Sequence, residues 1–284
     1  MNTKDNTLLI DCGNTYFKWC FFDDVSKKSS SENDLTKLQS LHHADRSEIE
    51  AFKELIDSQS SRCDSVVMVS VLGEIFSAGA KLIAQDAGLN LLEIHSQEKL
   101  AGLRNGYTKP KKLGSDRLVA MVGAYELIDD SHACIVIDSG TATTIDAVDE
   151  TGQHLGGVIF PGLELSLESL GSNTEQLPSL EATEQALESN GFAIDTTQAI
   201  ASGCLLSLAS AIDGICNKMQ RQLETNSSQH SNDEKIEVKR ILCGGGAKAL
   251  IPHLENDYDY HENLIMLGLK KIKVTGTETA SNND

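Results

Sequence analysis

A chain of 284 residues with 40% apolar content and only 4 prolines can bury a real core, as one large domain or as two of about 140 residues. Its 42 acidic against 24 basic residues give a formal charge of −18, which repels nucleic-acid phosphates and anionic membrane surfaces. A small anionic substrate is compatible with that field only where local cations and backbone N–H groups outweigh it.

The seven cysteines (Cys12, Cys20, Cys63, Cys134, Cys204, Cys216 and Cys243) are odd in number, form no C-x-x-C pair and sit mostly in apolar runs. They read as buried free thiols of a reducing compartment. The polar N-terminus meets a strand directly, and the apolar runs read as shorter than the ~18 residues of a membrane span, so a cytoplasmic, uncleaved protein is expected.

In chain order, the period-two pattern predicts strands at 8–11 and 15–22, then a weaker one at 35–41 after the Ser/Lys/Asp-rich loop 23–34. A helix is expected at 46–56, an apolar strand at 65–72, a helix at 74–87 and a strand at 89–94. A polar loop with Gly102, Gly106 and Pro110 leads to a helix at 115–128, with Leu118, Met121, Val122 and Tyr125 on one face. The second half begins again with strands at 133–137, 142–148 and 153–160. A helix at 163–170, an insertion near 171–195, a helix at 196–219 and a Ser/Asn/Gln/Glu-rich linker at 224–234 follow. A strand at 236–243 and a helix near 262–272 complete it.

The β-β-β-α-β-α order thus recurs, which suggests two copies of one plan joined near residue 130. "LLIDCGNT" and "IVIDSGTATT" match in detail: each is an apolar strand, an Asp, one residue, a Gly and then Thr. Two such halves facing each other would set Asp11 and Asp138 on opposite walls of a cleft.

Taken alone, Gly13-Asn14 between two strands is a hairpin turn, since Gly accepts positive φ. An Asp at the strand end, small turn residues with exposed N–H groups, the Thr15 hydroxyl and Lys18 make it also a candidate phosphate site. Lys18 shares its strand face with Tyr16, Cys20 and Phe22, where a lysine either snorkels to water or has a partner. In "DSGTATT" the threonines fit β-propensity, yet their duplication of the first loop favours a nucleotide held by N–H groups with a metal near the acids.

Asp116 and Arg117 open the helix at 115. The helix dipole favours ionised Asp116 there, making it a weak base, which suffices for a loose phosphoryl-transfer transition state. The stretch "CGGGAKALIP" would let backbone approach a planar nucleoside; its G-x-G-x-x-A fit is discounted because Pro252 cuts the following helix. No G-x-x-x-x-G-K-[ST] occurs, which excludes a P-loop kinase, and the histidines, including adjacent His42-His43, show no zinc spacing.

Together, "DCGNTYFK", "GYTKP" with "LGSDR", "DSGTATTID", "GGVIFPG" and "CGGGA" resemble the motifs of the bacterial type III pantothenate kinases, of the acetate and sugar kinase/Hsc70/actin superfamily. The resemblance covers nearly the whole chain. It implies an α/β fold of two ribonuclease-H-like domains, the actin-like ATPase fold, around a central cleft, with domains at 1–129 and 130–284. It implies Asp116 as the acceptor of the 4'-hydroxyl proton of pantothenate, and Tyr107, Gly114, Ser115, Asp116 and Arg117 as the pantothenate site. Asp11, Cys12, Gly13, Asn14, Thr15, Tyr16, Phe17, Lys18 and Thr141 would hold ATP with Mg²⁺, and Asp138 a monovalent cation, potassium or ammonium. Thr196 would reach the substrate of a neighbouring subunit, implying a homodimer, and Asp195 stands where the family pattern has Asn.

The expected function is therefore ATP-dependent phosphorylation of pantothenate, the first step towards coenzyme A, with no nucleic acid or membrane partner. The rival is a non-catalytic regulator of the same fold. Presence of the whole reactive set, Asp11, Lys18, Asp116, Arg117, Asp138 and Thr141, favours the enzyme.

Overall fold

The computed structural model describes residues 6–23, 35–43, 46–128, 132–171, 192–227 and 236–276. Most of the predicted loop 23–34, insertion 171–195 and linker 224–234 lies outside the described residues. The chain divides into two compact units, Met1–Asp129 with Asn263–Asp284, and Asp130–Glu262.

In the first unit, β1 (Asn6–Cys12) and β2 (Tyr16–Asp23) form an antiparallel hairpin, and β3 (Gln39–His42) adds to β2. Helix α1 (Glu48–Gln59) leads to β4 (Ser65–Ser70), which pairs parallel with β1. Helix α2 (Glu74–Asp86) leads to β5 (Asn90–Ile94), parallel to β4, so the sheet order is β3-β2-β1-β4-β5. Alternation sends Leu8, Ile10, Cys12, Phe17, Trp19, Phe21, Val66 and Met68 to one face, where α1 and α2 cover them with Phe52, Leu55, Ile56 and Phe76.

The predicted polar loop after β5 contains a small hairpin, β6 (Lys99–Leu100) and β7 (Leu103–Arg104), whose two central residues both have positive φ, 48° at Ala101 and 93° at Gly102. A 3₁₀ turn at Pro110–Lys112 then leads to α3 (Ser115–Leu127). This helix is apolar beyond the expected stripe: Arg117 to Ala124 are all buried, so it is enclosed rather than amphipathic.

The second unit repeats the plan. Strands β8 (Ala133–Ser139), β9 (Ala142–Val148) and β10 (His154–Pro161) are antiparallel neighbours, followed by α4 (Leu163–Gly171) and the long α5 (Thr196–Ser227). Then β11 (Val238–Cys243) pairs parallel with β8. After the short α6 (Ala247–Leu250), β12 (Asp259–Tyr260) pairs parallel with β11, giving the order β10-β9-β8-β11-β12. The repeat predicted from sequence is thus a repeat of strand order, direction and the position of the acid, since Asp11 and Asp138 are each the penultimate residue of their first strand.

Helix α5 corrects one expectation. Its Thr196–Asn226 stretch has a window of mean hydropathy 1.7, long and apolar enough to cross a membrane, and half of that window is buried. The burial is against its own sheet: Leu205, Leu208, Ala209, Ile212 and Cys216 pack with Ile135, Ile137, Ile145 and Leu242. The seven cysteines are free and buried as expected, with burial pushing the Cys20 and Cys134 thiols up to about 12.

Asp213, on α5, ties the helix to the segment before β12. It is 6% exposed and accepts hydrogen bonds from the Glu255 N–H at 2.8 Å, Asn256 Nδ2 at 2.6 Å and the Tyr258 hydroxyl at 2.8 Å. Burial pushes its pKa up, but donors from Asn256, Glu255 and Tyr258 outweigh that and hold it below the ordinary carboxylate value. Asp213→Ala is expected to destabilise by about 3 kcal/mol, because three donors lose a charged acceptor. With the folded pKa below the unfolded one, this contribution is complete above about pH 4 and fades as pH falls further. The gap in urea midpoint between wild type and variant should therefore shrink on acidification; a gap independent of pH would contradict it.

The last helix, α7 (Leu264–Thr275), was expected in the C-terminal half and instead belongs to the first unit. It crosses α3 at contact distance through glycines. A Cβ on Gly268 would strike the Val119 carbonyl, and one on Gly123 the Leu264 carbonyl. Lys270 of the same helix lies over the Phe22 ring, 5.4 Å from its centroid, and Lys271 pairs with Glu126 of α3 at 2.5 Å.

Candidate functional site

The first loop sits at the C-terminal end of β1. Asp11, 8% exposed, faces Lys18 across the hairpin and Val69 on β4. The turn closes with the Gly13 N–H donating to the Tyr16 carbonyl at 3.1 Å, and the Cys12 carbonyl accepts from the Val71 N–H at 3.2 Å. Asn14 is exposed, Thr15 and Lys18 are half-buried, and Tyr16 packs edge-on against His42 with centroids 4.9 Å apart.

Two of the predicted contacts point inward. Cys12 and Phe17 have their side chains in the core, so only their backbone can meet a ligand. The Cys12 thiol is pushed well above its ordinary value, first by burial and then by the carboxylates of Asp11 and Glu93. It is held as an inert thiol beside the loop rather than as a nucleophile.

The Tyr107 and Asp116-Arg117 stretches meet in the same unit. Arg117, 6% exposed, donates from Nη1 to the Tyr107 hydroxyl at 2.9 Å, and its guanidinium lies 5.7 Å from the Tyr107 ring centroid. Asp116 Oδ1 accepts the Arg117 N–H at 2.8 Å, which fixes the carboxylate over the first turn of α3. Ser115 and Gly114 serve locally: the Ser115 hydroxyl accepts the Ser96 N–H at 3.0 Å, and the Gly114 carbonyl accepts the Leu118 N–H.

Sequence reasoning missed Asn105, which holds this arrangement together. It is 8% exposed; its Nδ2 lies within hydrogen-bond distance of the carbonyls of Pro110 (3.0 Å) and Gln97 (3.2 Å) and the Ser96 hydroxyl (3.2 Å), while its Oδ1 accepts the Tyr107 N–H at 3.0 Å. An Asn set beside Gly106, three residues after Gly102 in the polar loop, was the available signal. A buried polar side chain must find partners, and here those partners set Tyr107.

In the second unit, Asp138 faces Thr144 on β9 and Cys243 on β11, and Thr141 is exposed on the turn that follows. Glycines wrap this loop. Gly162 donates to the Thr141 carbonyl at 3.0 Å and Gly246 to the Ser139 carbonyl at 2.8 Å. Gly244 has φ of 96°, and a Cβ there would strike Asp138 Oδ1 and the Ser139 carbonyl. The triple glycine thus acts first as a bed for the end of β8, with Gly245 alone of the three facing open space.

Thr196 is the exposed first residue of α5. Asp195 precedes it as the cap, its Oδ1 accepting the Gln198 N–H at 2.9 Å. Asp and Asn both fill that position well, so the local backbone is served equally by either.

Against known proteins, the model of the type III pantothenate kinase family matches residues 7–218. A type III pantothenate kinase from Herminiimonas arsenicoxydans is 35% identical over 270 residues, covering 94% of this chain and 97% of that protein. Among solved structures, a protein described as a Baf family transcriptional activator from Campylobacter jejuni aligns with a TM-score of 0.53 at 21% identity, covering 94% of this chain and 98% of that one. MreB 5 of Spiroplasma citri, bound to AMPPNP, aligns with a TM-score of 0.50 at 11% identity, covering 95% and 96%. These structural likenesses place the chain in the actin-like ATPase fold.

Proposed function

The chain belongs to the type III pantothenate kinase family and phosphorylates pantothenate with ATP, and from that premise we propose how its residues divide the work. The observation that supports the division is the Tyr107–Arg117–Asp116 arrangement at the start of α3, held by Asn105. Arg117 and Tyr107 bind pantothenate together with the Gly114-Ser115 backbone, and Asp116 orients the 4'-hydroxyl and accepts its proton late in transfer. Exposed Lys109, Lys111 and Lys112 beside this loop raise the local potential for an anionic substrate in a chain of net charge −18.

Asp11 through Lys18 and Thr141 are the proposed ATP contacts, with Lys18 neutralising phosphate charge. The oxygen donors at both Asp-x-Gly loops suit hard cations. Asp138, cradled where a Cβ on Gly244 would intrude, is the proposed ligand of potassium or ammonium. Mg²⁺ bound to the nucleotide supplies charge neutralisation on the transferring group.

A homodimer is proposed from the apolar surface of the second unit. Edge strand β10 exposes Leu155, Val158 and Ile159, α4 exposes Leu165 and Leu170, and Ile194, next to the cap of α5, is 93% exposed. Thr196 lies two residues beyond it and would act towards the partner. Localisation in the cytoplasm is proposed from the soluble chemistry of the reaction and the seven free thiols.

The test is ADP release on adding pantothenate, measured in potassium and in sodium. The proposal expects turnover in potassium and a clear loss in sodium; equal rates in both would remove the cation role from Asp138.

A further inference from the structure

The adjacent pair His42-His43, which carries no metal spacing, lies against the Gly13–Thr15 turn. His43 is 1% exposed, and its ring packs on Phe17 with centroids 4.1 Å apart. Its Nε2 is 2.9 Å from the Gly13 carbonyl, which can only accept, so Nε2 carries the proton. Its own backbone N–H donates to the Thr15 carbonyl at 3.0 Å. One residue thus takes two carbonyls of the turn, while Val71 N–H takes that of Cys12.

We propose that His43 is a positioning residue for the nucleotide: by capturing the Gly13 carbonyl it turns the Asn14 N–H towards the phosphates. The stereochemistry is direct. In a trans peptide the C=O and the following N–H point opposite ways, and no described peptide is cis, so a Gly13 carbonyl fixed on buried His43 sends the Asn14 N–H away from the core, where Asn14 is exposed. The same capture removes oxygen lone pairs that would repel an anion. Among the described residues Nδ1 is buried with no hydrogen-bond partner, which leaves the ring's polar function concentrated on the Gly13 contact. His42 completes the brace from the outer side, against Tyr16.

This inference rests on reading the turn as an ATP contact, and the experiment separates the two. Steady-state kinetics would be measured for wild type, H43F, H43Q and K18A. H43F keeps a ring on Phe17 but has no donor, whereas the H43Q amide can restore one. The expected result is an ATP KM raised about tenfold in H43F, the factor that ~1.4 kcal/mol represents, with kcat and the pantothenate KM within about twofold and H43Q near wild type. Should H43F not fold, H43N, whose shorter amide cannot reach Gly13, takes its place with the same expectation. An unchanged ATP KM in H43F beside a raised one in K18A would overturn the role of His43 alone. Unchanged values in both would overturn the ATP reading and this inference with it. Equal losses in H43F and H43Q, or a shift in both substrates' KM, would reduce His43 to a packing residue.

Discussion

Asp116→Asn should lower kcat by on the order of 10² or more while leaving the ATP KM near its wild-type value, the span that general-base contributions cover. Asparagine retains an oxygen able to accept the Arg117 N–H, so the first turn of α3 keeps its geometry and only the proton acceptor is lost. The loss should appear in kcat and kcat/KM together, since the contact to the moving proton exists in the transition state. A loose transition state places modest demands on the base, which sets the lower end of the expected effect. Turnover unchanged in this variant would rule out Asp116 as the base.

The largest effect on stability is expected from Gly268→Val. Helices α3 and α7 approach so closely that a Cβ on Gly268 would meet the backbone of Val119, and backbone cannot rotate aside. Overpacking of this kind costs typically 1–3 kcal/mol, and the branched valine in a backbone contact should reach at least about 3 kcal/mol. At roughly 2–4 °C per kcal/mol, thermal unfolding should begin about 6 °C or more lower. Gly203→Ala on α5 sets the baseline, because among the described residues its added methyl meets nothing within 4 Å beyond its own helix backbone and chain neighbours, and alanine favours helix. The consequence reaches the chemistry, since α3 carries Asp116 and Arg117 on its first turn. Equal midpoints for the two variants would contradict the close crossing.

The sequence made the strands and both Asp-x-Gly loops legible because each depends on local pattern: alternation over five or more residues, then an acid and a glycine. Strands β6, β7 and β12 have two residues each, too short for any period to declare itself. The place of α7 was not legible, since it follows from Gly123 meeting a residue some 145 positions later. His43 and Asn105 were missed for the same kind of reason. His43 acts on a carbonyl 30 residues earlier, and Asn105 serves a network spread from Ser96 to Ser115. Cys12 and Phe17 show the converse: they lie inside a contiguous motif, yet the two-residue period of the strands turns their side chains into the core. The triple glycine read as a ligand bed is, for two of its members, a bed for the protein's own Asp138 carboxylate and for Ser139.

Phosphoryl transfer to pantothenate is read most directly by ³¹P NMR of the wild-type reaction with ATP, Mg²⁺, potassium and pantothenate. The expected result is one new phosphomonoester on the primary 4'-hydroxyl for each ADP formed, and no ADP when pantothenate is left out. ADP formed without a phosphorylated pantothenate, or no ADP at all, would contradict pantothenate as the phosphoryl acceptor.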